Sequence, residues 1–395
     1  MKCTEGTGGC IPGLRRFFKD LCLSIKIYRR NKMKRAYLIR AVVLVSVLIF
    51  AAVSCSKDSG GIVIGIAMPT HSDESWLRHT QYVRENCEKL GYTKFDEQWS
   101  EDVVSAQISQ IENMITKGVK VLIVAAVDGS SLTDVLKKAA DQGIKVIAYD
   151  RLIMNTPNVD CYITFDNFKV GVAEAAYIEE KLDLKNKSGP FYIELFGGSA
   201  DDNNSYFFYD GALSILQSYI DSGKLIVKSG QFGIEKTAIQ NWDGAVAQAR
   251  MDNLLVAYYA DGTKLDAVLS PYDGLSIGII SSLKNAGYGT AARPLPIVTG
   301  QDAEVASIQS IINGEQTQTV WKDFRKPGAV CAQMVDALVK GTTVPINDTS
   351  TYNNGVKVVP SYLCDVQSID ITNFMDLFTS GFYNKNEAPW NTIIK

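Results

Sequence analysis

A short apolar run near the middle of the chain ends abruptly in two charged residues. Residues 144–149 are apolar apart from Lys145, and Asp150 and Arg151 follow directly. Because the run has little of the polar and apolar alternation of a half-exposed strand, it predicts a buried parallel strand. Asp150 and Arg151 would then lie at the edge where open α/β sheets bind ligands. A carboxylate beside a five-donor guanidinium suits a polyhydroxylated ligand, although position alone fits an exposed loop ion pair equally well.

Apolar strands, polar turns and amphipathic helices alternate from Ile62 onward. The predicted strands cover residues 62–67, 119–125, 145–149, 191–195, 225–229, 267–270, 297–300 and 317–321, with a further one at 356–359. The predicted helices cover residues 76–90, 103–117, 132–142, 168–182, 204–222, 244–258, 275–285, 303–313 and 327–340. This alternation predicts an α/β fold with parallel sheets covered by helices on both faces. Since one such sheet rarely carries so many strands, we predict two doubly wound, Rossmann-like lobes whose carboxyl edges face a common cleft.

The amino-terminal part has a different character. A basic stretch precedes residues 41–54, which are uncharged, mostly apolar and too short to span a bilayer comfortably, so residues 1–54 are predicted to be a signal segment. Met33 makes a better start for such a segment than the first residue. Small residues before Cys55 resemble a bacterial lipobox, so Cys55 is predicted to be lipidated and residues 55–61 to form a polar tether. A cleaved signal peptide without lipid and a retained anchor are the alternatives.

Charge and the scarcity of metal-binding residues exclude several classes of function. Residues 1–40 hold 11 Lys and Arg and 2 Asp and Glu, whereas the residues from 55 onward hold 29 basic and 41 acidic ones. A folded part with a net charge of about −12 argues against a nucleic-acid partner. His71 and His79 are the only histidines, which argues against His-based metal sites and catalytic triads. The cysteines after Cys55 are widely spaced and predict buried free thiols rather than disulfides or a zinc site; they are Cys87, Cys161, Cys331 and Cys364.

Polar and aromatic side chains follow one predicted strand after another. They are Trp76, Asp150, Arg151, Asp166, Asp202, Asn204, Trp242, Asp273, Asp302 and Lys322. Carboxylates, amides and cations recognise hydroxyl groups, and indoles stack on the C–H faces of a sugar ring. Taken singly, Asp243 and Asp273 are better explained as helix N-caps, and Lys322 also fits a solvated surface residue. Their joint occurrence at one edge is what favours a sugar site.

Enzyme alternatives lack their usual motifs. No Gly-x-Gly-x-x-Gly follows the first strand and no Gly-x-x-x-x-Gly-Lys-Ser/Thr occurs, so neither a dinucleotide nor any other cofactor is predicted. Gly197, Gly198 and Ser199 open a predicted helix, but Asp201 and Asp202 directly after them would repel a phosphate. A carboxylate pair for glycoside hydrolysis stays open as an alternative.

Six longer motifs resemble a known family. They lie at residues 111–122, 146–153, 165–171, 193–204, 269–278 and 300–304, and include Val-Ile-Ala-Tyr-Asp-Arg-Leu-Ile, Ile-Glu-Leu-Phe-Gly-Gly-Ser-Ala-Asp-Asp-Asn-Asn and Leu-Ser-Pro-Tyr-Asp-Gly-Leu-Ser-Ile-Gly. From Ile62 to about Tyr383 the chain resembles the multiple-sugar-binding proteins and the xylose-, galactose- and ribose-binding periplasmic proteins of ABC importers.

The resemblance implies a type I periplasmic binding protein, with two lobes joined by a three-crossing hinge. By this pattern the N-terminal lobe comprises residues 62–165 and 323–357, and the C-terminal lobe residues 166–322 and 358–395. The crossings near 165, 322 and 357 rest on the resemblance, because no chain-breaking composition marks them in this sequence.

The resemblance also implies roles for the strand-end residues. Trp76 and Trp242 would be the stacking faces. The polar ligands would be Asp150, Arg151, Asn204, Asp273, Asp302 and Lys322, with Asp166 and Asp202 as neighbours. Relatives often carry Arg directly before the first aromatic residue, and here Ser75 stands in that position, so the preferred sugar is left open.

The expected function is that of an extracytoplasmic, lipid-anchored receptor rather than an enzyme. Its ligand would be an aldose such as galactose, glucose, xylose or arabinose. A monomer at the periplasm or cell surface would deliver the sugar to an ABC permease. A sensor that presents the closed complex to a chemoreceptor or sensor kinase is the alternative, and a sugar-processing enzyme is a third.

Overall fold

Strands and helices alternate along residues 61–394, which are the residues that the computed structural model describes. The strands are β1 (Val63–Met68), β2 (Lys94–Trp99), β3 (Val121–Val124), β4 (Lys145–Tyr149), β5 (Cys161–Phe165), β6 (Phe191–Leu195), β7 (Leu225–Val227), β8 (Ala267–Leu269), β9 (Ile297–Val298), β10 (Gln318–Trp321), β11 (Ser361–Cys364) and β12 (Gln367–Asp370). The helices are α1 (Glu74–Lys89), α2 (Val104–Thr116), α3 (Thr133–Asp141), α4 (Asn167–Leu182), α5 (Asn204–Asp221), α6 (Ile234–Thr237), α7 (Gly244–Tyr258), α8 (Asp273–Asn285), α9 (Val305–Ile312), α10 (Arg325–Lys340), α11 (Asp376–Thr379) and α12 (Trp390–Ile393). The predicted α/β class is confirmed.

The first sheet has six parallel strands in the order β11-β5-β4-β3-β1-β2. Successive side chains of each strand point to opposite faces of the sheet, so alternate residues pack into two different cores. In β3, Ile123 belongs to the core with α1 and α10, whereas Leu122 belongs to the core with α2 and α3. Because both faces are covered, β3, β4 and β5 are almost wholly apolar and buried, as the sequence pattern predicted.

The second sheet has four parallel strands in the order β7-β6-β8-β9. Helices α4 and α5 cover one face, and α7 and α8 cover the other. The α4–α5 crossing is close because Gly171 lacks a side chain. A Cβ at this position would lie 1.9 Å from the carbonyl oxygen of Phe208, so the glycine brings α5 and Phe208 against α4.

The carboxyl-terminal part departs from the predicted lobe boundaries. Residues 358–395 were assigned to the second lobe, but β11 pairs with β5 in the first sheet. The tail residues Leu377 and Phe382 also belong to the core of the first sheet, and β12 pairs with β10 in an antiparallel ribbon. The predicted crossing near 357 is therefore wrong, and the chain leaves the first sheet only after Cys364.

The strand predicted at 356–359 is also wrong. Val358 forms only an isolated bridge with Asn353, and the strand of this region begins at Ser361. A Pro at position 360 separates the two segments and cannot donate to a strand ladder. The remainder of the two-lobe division stays a prediction.

The signal segment, residues 1–54, and Cys55 lie outside the described residues. Among residues 61–394, no helix has the length and apolar character needed to cross a membrane. The predicted free thiols are confirmed in the described part, where Cys87, Cys161, Cys331 and Cys364 are buried and unbridged.

Candidate functional site

A cavity lies where the loops that follow the strands of both sheets converge. In each sheet the strand order reverses at one point. This point lies between β1 and β3 in the first sheet and between β6 and β8 in the second. Ligands of open α/β sheets bind at such switch points. The cavity is lined by Asp73, Ser75, Trp76, His79, Asp150, Arg151, Asp202, Asn204, Phe208, Trp242, Tyr272, Gln301, Asp302 and Lys322.

Eight of the ten predicted site residues lie in this lining. They are Trp76, Asp150, Arg151, Asp202, Asn204, Trp242, Asp302 and Lys322. Asp166 and Asp273 do not line it. Asp166 caps α4, because its carboxylate accepts from the Lys169 amide at 3.2 Å and pairs with the Lys169 ammonium at 2.9 Å. Because a helix cap already satisfies this side chain, its role as a neighbour of the ligand stays a prediction.

Asp273 is fully buried behind the cavity rather than inside it. Its Oδ1 accepts from Gln316 Nε2 at 2.8 Å, and its Oδ2 accepts from the Glu304 amide at 2.9 Å and from Thr319 Oγ1 at 3.0 Å. Burial raises the pKa of Asp273 to about 8 although these donors favour its ionised form. With its acceptors occupied by protein donors, Asp273 holds together the loops that carry the cavity residues.

Asp150 presents its carboxylate to the cavity from a strained backbone. Its φ of 59° is in the left-handed region, which is uncommon for residues other than glycine. Its carbonyl oxygen accepts from Thr164 Oγ1 at 2.9 Å and from Asn204 Nδ2 at 2.8 Å, and Tyr162 also donates to it. Its own Oδ1 is enclosed and has no hydrogen-bond partner among the described residues. The donors hold the strained backbone while the carboxylate oxygen stays available for a ligand.

Arg151 forms its ion pair with Asp202 rather than with its sequence neighbour Asp150. Its Nε lies 3.2 Å from Asp202 Oδ2, and its Nη1 donates to the Ala126 carbonyl at 3.1 Å. The guanidinium carbon is 5.2 Å from the ring centre of Trp76. An Asp150–Arg151 pair is therefore not formed, and Arg151 instead links the loop after β4 to the loop after β6. Burial raises the pKa of Asp202, and the Arg151 charge opposes that rise.

Lys322 and Asp302 form the second ion pair of the cavity. Lys322 Nζ lies 2.9 Å from Asp302 Oδ1, and their side chains are only 6% and 9% exposed. Burial lowers the pKa of Lys322, but the carboxylates of Asp302 and Asp150 more than offset this, so the pKa is raised. Burial raises the pKa of Asp302 to about 6, and the Lys322 charge limits the rise. Asp302 also has a left-handed backbone, with a φ of 93°.

Two indoles complete the lining. Trp76 is almost fully buried, and Trp242 packs edge-on against Phe208 and Tyr272 with ring centres 6.1 and 6.0 Å apart. A Cβ at Gly198 would lie 2.0 Å from the Trp242 ring, so only glycine leaves room for that ring. Trp242 thus depends on contacts from the loops after β6 and β8 for its position.

Six residues of the lining were not predicted from the sequence. Asp73, Tyr272 and Gln301 lie in turns after predicted strands, and Ser75 lies in the first turn of α1, so their position was a usable signal. His79 and Phe208 lie inside helices α1 and α5, where the apolar pattern favours a core residue. His79 follows Trp76 by three positions and shares its helix face, and that spacing was the one signal for it.

The sequence matches the family described as periplasmic binding protein domain over residues 64–343. This chain belongs to that family. Among curated proteins of the family, it is 55% identical to the multiple sugar-binding periplasmic receptor ChvE of Rhizobium radiobacter, over 89% of this chain and 99% of that protein. It is 56% identical to the multiple sugar-binding periplasmic protein SbpA of Azospirillum brasilense, over 82% of this chain and 90% of that protein.

A solved family structure has the same fold. It is an ABC transporter solute-binding protein from Clostridium phytofermentans with bound β-D-glucose, 43% identical, with a TM-score of 0.78 over 82% of this chain and 99% of that chain. A carbohydrate transporter solute-binding protein from Chloroflexus aurantiacus, in complex with D-glucose, is 32% identical, with a TM-score of 0.72 over 81% of this chain and 96% of that chain. The type I periplasmic binding protein fold expected from the sequence is confirmed.

Proposed function

We propose that this protein is an extracytoplasmic receptor that binds one aldose in the cavity between the two sheets and releases it unchanged. The observation that carries the proposal is a lining that combines unoccupied acceptors, two cations and two indoles in one enclosed space. The relatives described above, which are named as sugar-binding or hold glucose, support the same ligand class.

The charges of the lining favour a neutral polyol. Four carboxylates, those of Asp73, Asp150, Asp202 and Asp302, face only two cations, and each cation already has a carboxylate partner. An anionic ligand would add repulsion to this excess of negative charge. A sugar hydroxyl both donates and accepts, so it can satisfy a free carboxylate oxygen without bringing a charge.

Binding of glucose, galactose, xylose and arabinose tests the proposal. At 100 times its dissociation constant a ligand stabilises the folded state by about 2.7 kcal/mol, which a thermal-shift screen detects. We expect at least one of these sugars to raise the melting temperature, to bind with 1:1 stoichiometry by calorimetry and to be recovered chemically unchanged. Cleavage of an oligosaccharide without any response to a free sugar would instead indicate an enzyme.

Contacts across the predicted lobe boundary support a hinged receptor. Arg151 pairs with Asp202, and Asn204 Nδ2 donates to the Asp150 carbonyl at 2.8 Å, so each contact joins one residue from either side of the boundary near 165. Binding energy shared between two such units shifts a hinge equilibrium towards closure. We therefore propose two lobes that close on the sugar, with the third crossing at 364–367.

We further propose that the closed, monomeric complex delivers its sugar to an ABC permease and that a lipid on Cys55 holds the receptor at the membrane. The transporter-associated relatives described above support delivery, and the residues around Cys55 support the anchor. Labelled-sugar uptake by a strain lacking the gene tests delivery. Unchanged uptake with a lost sugar response would favour the sensor alternative.

A further inference from the structure

His79 lines the cavity but is not among the predicted ligand-binding residues. It lies in α1 and its side chain is almost completely buried. Its ring centre is 5.4 Å from that of Trp76, 5.3 Å from that of Tyr149 and 4.3 Å from that of Phe324. Aromatic contacts on several sides hold the imidazole in one orientation at the wall of the cavity.

The phenol of Tyr149 determines which ring nitrogen of His79 carries the proton. His79 Nδ1 and the Tyr149 hydroxyl oxygen are 2.8 Å apart, and both side chains are buried. The hydroxyl has no other hydrogen-bond partner in residues 61–394, so it can donate only to Nδ1. The opposite arrangement would leave a buried O–H without an acceptor, which is costly. Nδ1 is therefore the acceptor and Nε2 carries the hydrogen.

The imidazole is neutral at the pH values where the protein would work. Burial lowers the pKa of His79 to about 3; Asp150 opposes this effect, while Lys322 and Arg78 add to it. Burial also raises the pKa of Tyr149 well above its usual value, so the phenol keeps its proton. His79 therefore offers the cavity a donor without a charge, whereas the cationic donors, Arg151 and Lys322, are each paired with an acid.

The Nε2–H is free for a ligand. It forms no hydrogen bond with any described residue, and the residue is only 2% exposed. His79 lines the cavity, and its Nδ1 is already bonded to the buried Tyr149 phenol, so Nε2 is the ring nitrogen left for a ligand. A donor that cannot accept in this tautomer pairs with a ligand oxygen that offers a lone pair.

We propose that His79 is a specificity-determining residue whose Nε2–H, oriented by Tyr149, donates a hydrogen bond to one oxygen of the bound aldose. This inference rests on the proposed function and deepens it. The oxygen belongs to a neutral hydroxyl or to the sugar ring. A deoxy sugar that lacks a contacted hydroxyl leaves the buried donor unpaired, and buried polar groups of this kind discriminate strongly between such ligands.

Nuclear magnetic resonance of the imidazole nitrogens tests the tautomer and the contact directly. Because the chain has only two histidines, protein labelled with ¹⁵N-histidine gives two ring spin systems. His71 is an exposed residue paired with Glu101, and the variant His71→Gln removes its signals without touching the cavity. We expect His79 to show the Nε2–H tautomer from pH 5 to pH 8. Adding D-glucose, or whichever aldose binds best, should shift the Nε2–H resonance and slow its exchange with water.

Two substitutions separate the hydrogen bond from packing. His79→Phe keeps a ring but removes the donor, and we expect about a tenfold loss of affinity. His79→Gln keeps an amide N–H in a similar place and should retain most of the affinity. Tyr149→Phe should release the fixed tautomer and give a mixture of the two neutral forms. If the contact is to a hydroxyl, one member of the series of singly deoxygenated sugars lacks that hydroxyl. That sugar should bind wild type and His79→Phe with equal affinity.

The possible results distinguish this inference from the function on which it rests. If an aldose binds the wild type but leaves the Nε2–H resonance unchanged, or if His79 carries its proton on Nδ1, the inference is wrong while the receptor proposal stands. If no aldose binds at all, the receptor proposal fails, and the ligand contact fails with it. Equal affinity of wild type and a folded His79→Phe variant for every sugar tested would also overturn the contact.

Discussion

Arg151→Ala is expected to weaken sugar binding between tenfold and a thousandfold. Hydrogen bonds to charged groups contribute about 1.5 to 3 kcal/mol each, and about 1.4 kcal/mol corresponds to a factor of ten in affinity. The substitution removes the guanidinium from the cavity wall and leaves Asp202 without its cation. The carboxylate of Asp202 then favours protonation, because burial already raises its pKa and the opposing charge is gone. Calorimetric titration of the preferred aldose measures the effect.

Arg84→Ala is the matched control for this change. Arg84 also pairs with an acid, Glu97, at 3.3 Å, but its side chain is 42% exposed and it does not line the cavity. Exposed pairs of this kind contribute little, so affinity and melting temperature should stay close to those of the wild type. Sugar affinity of Arg151→Ala within twofold of the wild type, in a variant that is still folded, would place the ligand away from this loop.

Lys322→Met is expected to destabilise the folded protein by about 3–5 kcal/mol at pH 7.5, because it leaves the buried carboxylate of Asp302 without its partner. Without the Lys322 charge, the pKa of Asp302 rises above its wild-type value of about 6. An acid whose pKa is raised by folding costs the protein no stability at low pH, where it is protonated in both the folded and the unfolded state. The folded protein loses stability as the pH rises from the unfolded pKa of the acid towards its folded pKa, by at most about 1.4 kcal/mol per pH unit. The deficit of the variant should therefore be smaller at pH 5 than at pH 7.5, which urea unfolding at the two pH values measures.

Two further variants test the cause of that deficit. The double variant Asp302→Asn with Lys322→Met removes both charges and should recover a substantial part of the stability at pH 7.5. Lys185→Met removes a lysine that is 71% exposed and pairs with Glu179, so it should change stability very little at either pH. A stability deficit that is the same at pH 5 and at pH 7.5 would show that loss of lysine packing, rather than the unpaired acid, is responsible.

Local patterns were sufficient for the fold and for the edge where the site lies. Strand β4 begins and ends at the predicted residues, because an apolar run bounded by Gly143 and Asp150 depends only on neighbouring positions. Likewise, α7 has its predicted bounds, starting after the N-cap Asp243. Since parallel strands align their carboxyl ends, the sequence also predicted that the polar residues after different strands would meet.

The predictions failed at a charged edge strand and at a short strand whose partner is far away in the sequence. Strand β2 was not predicted, because its sequence, Lys-Phe-Asp-Glu-Gln-Trp, carries charges that fit an exposed edge. Strand β11 has only four residues, and its pairing with β5 depends on a partner about 200 positions earlier in the chain. Local propensity contains no information about such a partner, so the third crossing was placed too early.

The sequence by itself determined the α/β architecture, most helix and strand positions, and a polar and aromatic edge suited to a sugar. Only the tertiary structure decided that Arg151 pairs with Asp202 rather than Asp150, and that His79 faces the cavity with Tyr149 behind it. The physical reason is that side-chain direction at a strand end follows from backbone angles such as the positive φ of Asp150, and those angles are held by donors from distant segments. Residue type and spacing identify which groups meet at an edge, whereas their pairing depends on how the surrounding loops pack.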